Sequence, residues 1–263
     1  MSGVSTYNPS VRVGNWNEDL CLEEDLLKDF IEKKERGELL IDKTHNLYSK
    51  ILKKVDVSSS SDGYIRFGDT VCVYNPETDT TLSVNMTDSK LHEAECIEGP
   101  CGVSASKSLE PSVRNAFVIK SCDESRDGDA LVYGQHFLLS TLSGIGGDLN
   151  LHSDTATFMK CAKKSRLQEV ILQKEIAYHC HWELLHLDPR ERLETEGLPV
   201  PANEKLLINH CKTNQRLAVL PEFTFRTPFG RDYEVTANTK LNSHKAEEAS
   251  NHWVIVQNTT AAD

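Results

Sequence analysis

Two short runs carry residue types that bind metals. His179-Cys180-His181 precedes His210-Cys211 in the chain, and imidazole and thiolate are ligands that zinc accepts. Zinc sites legible in sequence pair their ligands at spacings such as C-x2-C or H-x3-H, and neither run does so. Neighbours on a strand point to opposite faces, so His179 and His181 share a side that Cys180 does not. Cys96 and Cys101 are separated by four residues with no second pair. All of these read as structural, so no metal and no cofactor is assigned. Ser143-Gly144-Ile145-Gly146-Gly147-Asp148 would cradle phosphate only between a strand and a helix; here it lies between two strands and reads as a turn. Ten histidines are present, but none sits in a nucleophile-elbow context. No catalytic residue is assigned and the chain is read as a non-enzyme. A hydrolase with an unrecognised site is the enzyme-class alternative.

The elements that would position these residues are mostly short strands. Three segments align: Val71/Val73, Phe137/Leu139 and Leu206/Ile208 open each unit. Leu82/Val84, Leu149/Leu151 and Leu217/Val219 follow, and Phe117/Ile119, Trp182/Leu184 and Trp253/Ile255 close it. Each pair is spaced i, i+2, which places it on one face of a strand. Three equal β units point to a mainly β fold, a β-trefoil whose pairs line a shared core; an irregular β-sandwich is the other arrangement. The units span about 62–122, 128–187 and 201–257, within a domain at 58–258 followed by a short tail at 259–263. Residues 1–57 form an irregular segment and an α-helical extension. Asn17-Glu18-Asp19 reads as a helix start, with Leu22, Leu26, Leu27, Phe30 and Ile31 on one face and Gly37 as the stop. A second helix is expected from Glu38 to about Val55, with Leu40, Ile41, Leu47, Ile51 and Leu52 on its face. These faces either pack back on the trefoil or dock on a partner.

Composition narrows the function. The 263 residues carry a formal charge of −11, a poor basis for nucleic-acid binding, which needs a basic face. No apolar run approaches the roughly 20 residues of a membrane span, and Met1 to Asn17 has no signal-peptide core. The expectation is a protein of the cytosol or a compartment reached from it, with its eight cysteines reduced. Lectin binding is a competitor, because Asn115-Ala116-Phe117, Cys180-His181-Trp182 and Asn251-His252-Trp253 loosely match the Gln-x-Trp signature of trefoil lectins. The glutamine is missing, and the aromatics are needed for the core.

Longer stretches carry a resemblance. Gly14-Asn15-Trp16-Asn17-Glu18-Asp19, Pro100-Cys101-Gly102-Val103-Ser104-Ala105 and Leu167-Gln168-Glu169-Val170 are similar to the cilia- and flagella-associated protein 161 family. So are Glu196-Gly197-Leu198-Pro199-Val200-Pro201-Ala202-Asn203, Leu207-Ile208-Asn209-His210-Cys211 and Asn251-His252-Trp253. The sequence departs from the family between Thr78 and Glu98 and over Ser58 to Ser61. The resemblance implies a MIR-like β-trefoil. It also implies a structural microtubule inner protein of the ciliary and flagellar axoneme, on the lumenal wall of the A-tubule near the seam. Its partners would be tubulin and neighbouring inner proteins, and the family brings no catalytic residues and no cofactors. A cytosolic trefoil lectin or adaptor is the alternative. Candidate partner-interface residues are Asn15 and Trp16, with the basic clusters Lys50, Lys53, Lys54 and Lys163, Lys164, Arg166. A solvated charged face is the other reading of each cluster.

Overall fold

The computed structural model describes residues 16–37, 39–87, 90–91, 96–123 and 125–259. Helix α1 (Trp16–Glu35) and helix α2 (Leu40–Ile51) precede the strands. A two-residue strand β1 (Ser59–Ser60) follows. The first repeat is β2 (Thr70–Asn75), β3 (Thr80–Asn85), β4 (Cys101–Ser106) and β5 (Ala116–Ser121). The second is β6 (His136–Thr141), β7 (Asn150–Ser153), β8 (Gln168–Gln173) and β9 (Trp182–His186). A short helix α3 (Arg192–Thr195) leads to the third: β10 (Lys205–His210), β11 (Gln215–Thr227), β12 (Gly230–Ala237) and β13 (Trp253–Val256). Strand β14 (Asn258–Thr259) pairs in parallel with β1.

The first and last strands of the repeats close into a ring. β2 pairs with β5, β5 with β6, β6 with β9, β9 with β10, β10 with β13, and β13 with β2, all antiparallel. The two middle strands of each repeat form a hairpin, and the hairpins meet in a triangle through β4–β12, β4–β8 and β8–β12. A six-stranded barrel capped by three hairpins is a β-trefoil. All eighteen residues of the i, i+2 pairs are buried to within 2% exposure. Trp182 and Trp253 also satisfy their indole N–H groups, donating to the Leu151 and Leu217 carbonyls at 2.9 Å, so their polar atoms add no burial penalty.

The repeat extends to the turns. Asp79, Asp148 and Asn214 all have left-handed backbone, with φ of 51°, 50° and 52°, just ahead of the second strand of each unit. Asp and Asn tolerate that region because their short side chains bond locally. The glycine-rich run is a turn, as expected, with a 3-10 segment at Gly144–Gly146. At Gly147 a Cβ would stand 2.0 Å from the Ile97 carbonyl oxygen; the glycine lets the segment around Ile97 lie against the turn.

Helix α1 begins one residue before the expected cap, at Trp16, and stops at the left-handed Gly37 (φ 67°). Helix α2 is shorter than expected. Beyond Ile51 the backbone pairs sideways: the Val113 N–H donates to the Lys53 carbonyl at 3.1 Å, and the Val55 N–H donates to the Pro111 carbonyl at 3.2 Å. Leu47 and Ile51 are buried in the common core. A division at 57/58 therefore separates α2 from the core it helps fill, and the physical joint falls between the two helices.

Candidate docking surfaces

α2 is seated on the hairpin cap. Tyr48 stacks on Phe229 with ring centroids 5.2 Å apart, and the Arg114 guanidinium lies over the Phe229 ring, 4.3 Å from its centroid. Arg114 is buried. It donates to the Val84 carbonyl at 3.0 Å, to Ser106 Oγ at 3.1 Å and to Asp232 at 2.5 Å. Ser104 Oγ also donates to Asp232, at 2.8 Å. Burial pulls the Arg114 pKa down and the adjacent Asp232 carboxylate opposes that shift, which is how a buried ion pair stays charged. This network joins the first repeat, the third repeat and α2.

α1 is different. Leu22, Leu26 and Leu27 are 57–59% exposed, and Phe30 and Ile31 are 49% and 45% exposed. Lys33 and Asp29 bond across one turn at 2.7 Å, a contact between exposed groups that contributes little. The helix offers a solvated apolar stripe about 100° or more wide, the pattern of a surface that packs on something.

The sequence-predicted interface residues fall in three places. Asn15 lies outside the described residues, and Trp16 is the first residue of α1. Lys50, Lys53 and Lys54 are exposed at the end of α2, where Lys54 pairs with Glu110 at 3.1 Å. Lys163, Lys164 and Arg166 are exposed on the loop between β7 and β8. The buried carboxylate of Glu234 grips that loop, accepting from the Lys164 and Ser165 N–H groups at 3.0 and 2.8 Å. The Lys164 ammonium is turned onto the Thr224 carbonyl, and Arg166 leans on Cys161 Sγ at 3.5 Å. Lys163 faces a cleft of about 280 Å3 shared with Val103, Phe225 and Glu234.

The metal- and sugar-type motifs separate. His210 is buried, with one ring nitrogen 2.8 Å from Thr213 Oγ1 and the other 2.9 Å from the His179 carbonyl. His179 stacks on His152 at 5.3 Å and lies 3.6 Å from Asp154. These three line a cleft of about 450 Å3 with Lys160, Glu169 and Glu175. No serine, threonine or cysteine is among its described lining residues, so it offers no side-chain hydroxyl or thiol nucleophile. Phe117, Trp182 and Trp253 are wholly buried and present no face on which a sugar ring stacks. Asn115 and Asn251 hold turns: Asn251 donates to the Leu217 and Asn238 carbonyls at 3.1 and 2.9 Å. Cys211 comes together instead with His136 and Glu183, residues that no local spacing connects to it.

Comparison with known proteins agrees with this architecture. Residues 43–258 match the model of the cilia- and flagella-associated protein 161-like domain, which takes in most of α2 with the trefoil and leaves α1 outside. Cilia- and flagella-associated protein 161 of Danio rerio is 47% identical over 97% of this chain and 89% of its own length. The protein of that name from Bos taurus is 41% identical over 98% of this chain and 84% of its own. Among solved structures, the SDF2-like protein from Arabidopsis thaliana superposes with a TM-score of 0.55, at 15% identity, covering 75% of this chain and 99% of that one; the likeness is one of fold. With residues 43–258 matching the family model and relatives 41–47% identical over nearly the whole chain, the chain belongs to the cilia- and flagella-associated protein 161 family.

Proposed function

We propose that this chain is a structural, non-enzymatic component of cilia and flagella: a microtubule inner protein held on the lumenal wall of the A-tubule of axonemal doublets, near the seam, by tubulin and neighbouring inner proteins. Family membership supports the cilium. The observation that carries the structural role is the apolar stripe of α1, which stands outside a fully formed trefoil core. A rigid domain with a free amphipathic helix is built to be anchored, by laying that helix into an apolar groove. Repetition along a lattice supplies avidity, so each anchor need bind only modestly.

Charge favours an apolar mode of attachment. The chain is net acidic, tubulin is acidic as well, and in one of the expected basic clusters the Lys164 ammonium is turned onto the Thr224 carbonyl. An apolar anchor is distinguished from an ionic one by salt, which screens exposed charges over about 3 Å at 1 M and does not weaken apolar burial. The test is to tag the protein in a ciliated cell and extract isolated axonemes with detergent and then with high salt. Retention on the doublets through high salt, with signal along the axoneme, is the expected result. Release with detergent would remove the inner-protein reading and direct attention to sugar and adaptor binding.

A further inference from the structure

We propose that His136, Glu183 and Cys211 form a binding site for zinc or a divalent transition metal of similar preference, on the outer wall of the barrel where the second and third repeats meet.

Backbone register builds the site. His136 in β6 is the cross-strand partner of Glu183 in β9, and β9 pairs in turn with β10, Glu183 opposite Asn209. The Cys211 N–H donates to the His181 carbonyl at 3.1 Å, continuing that ladder. Phe137 and Trp182 point into the core, so strand alternation turns His136 and Glu183 outward. One ligand atom from each of the three residues lies within 4.8 Å of the others. Tetrahedral zinc, with bonds of about 2.0–2.3 Å, holds its ligand atoms roughly 3.3–3.8 Å apart. Side-chain rotation covers the difference without moving the ladder.

The surroundings prepare these groups for a ligand. Asn209 donates to Glu183 Oε1 at 2.6 Å and is itself held by Arg216. That fixes the carboxylate plane and leaves its second oxygen to coordinate, the kind of outer support metal ligands require. The His136 imidazole has ring contacts with Tyr178 and His181, at 6.2 and 5.8 Å, but no hydrogen bond among the described residues. Next to it, His181 Nδ1 is buried with no hydrogen-bond partner among the described residues. Cys122 follows Ser121, the cross-strand partner of Phe137, so its backbone stands opposite His136, but its thiol is not among the three clustered ligand groups. A thiol, an imidazole and a carboxylate together suit zinc, whereas calcium and magnesium take oxygen ligands.

The test uses the full chain, stripped with chelator and titrated with Co2+ and then Zn2+. The expected result is one equivalent of Co2+ with thiolate-to-cobalt charge-transfer absorption, bleached by Zn2+. Cys211→Ser abolishes the absorption, His136→Asn weakens binding by at least about tenfold, and Cys161→Ser leaves both unchanged. Variants are read only where their unfolding midpoint in chelator equals that of the unsubstituted chain. A second measurement needs no variant: alkylation mapped by peptide mass, in which Zn2+ slows labelling of Cys211 at least tenfold relative to Cys21 and Cys161. No thiolate absorption in the unsubstituted chain, absorption that persists in Cys211→Ser, or labelling of Cys211 indifferent to Zn2+ would each overturn the assignment.

Discussion

The two helices ahead of the trefoil have similar sequence patterns and opposite fates. α2 buries Leu47 and Ile51 in the core and stacks Tyr48 on Phe229. α1 leaves Leu22, Leu26, Leu27, Phe30 and Ile31 about half exposed. Spacing shows that a helix has an apolar face; it does not show what covers it. What separates the pair is tertiary. Past Ile51 the chain is sewn to the segment around Pro111 and Val113 by backbone hydrogen bonds, which fixes α2 over the cap, whereas α1 ends in a left-handed stop at Gly37.

Truncation breaks the comparison most severely. Removing residues 1–37 should leave the unfolding free energy within about 0.5 kcal/mol of the full chain, as for surface changes. Removing 1–56 also takes away Leu47 and Ile51, and at about 2–5 kcal/mol per buried aliphatic lost should cost on the order of 4 kcal/mol or more. Equal urea midpoints for the two truncations would dissolve the distinction. Next in size is Asp232→Asn, which leaves the Arg114 charge buried beneath the seat of α2 and should cost about 3–5 kcal/mol. Chemical denaturation measures it, and an unchanged midpoint would mean that the pair does not hold the cap.

Acid probes the barrel side. Burial lowers the pKa of His152, with the nearby His179 charge adding to it, and burial likewise lowers that of His252. Both bind a proton less readily in the folded state, while the unfolded chain takes up protons below about 6.5. The unfolded state then binds more protons, so stability falls as pH drops below that value. The melting temperature should decline from pH 6.5 downward, and His252→Gln should flatten the slope. The smallest effect on stability belongs to α1: Leu27→Ala with Phe30→Ala should shift the unfolding free energy by under about 0.5 kcal/mol yet lower retention on salt-washed doublets. Undiminished retention would sever α1 from anchoring.

The trefoil core was legible because strand alternation and the threefold repeat act together: each of Val71, Phe137 and Leu206 is one apolar residue among many, but all three recur in register. The Arg114–Asp232 pair was not legible. Its partners come from different repeats, and only the closing of the hairpin triangle brings them together. His136, Glu183 and Cys211 escaped for the same reason, since cross-strand neighbours in a barrel leave no fixed spacing in sequence. The basic run at Lys163, Lys164 and Arg166 was legible as charge, but adjacency in sequence did not show that the Lys164 side chain folds back on β11.

The closed ring of barrel strands has one more consequence. Each of its six strands is hydrogen-bonded on both sides, so the barrel presents no bare row of backbone donors and acceptors to a neighbouring copy. Open strand edges are the templates for sheet-to-sheet aggregation. A barrel without them can stand beside other copies of itself with each copy kept a separate molecule.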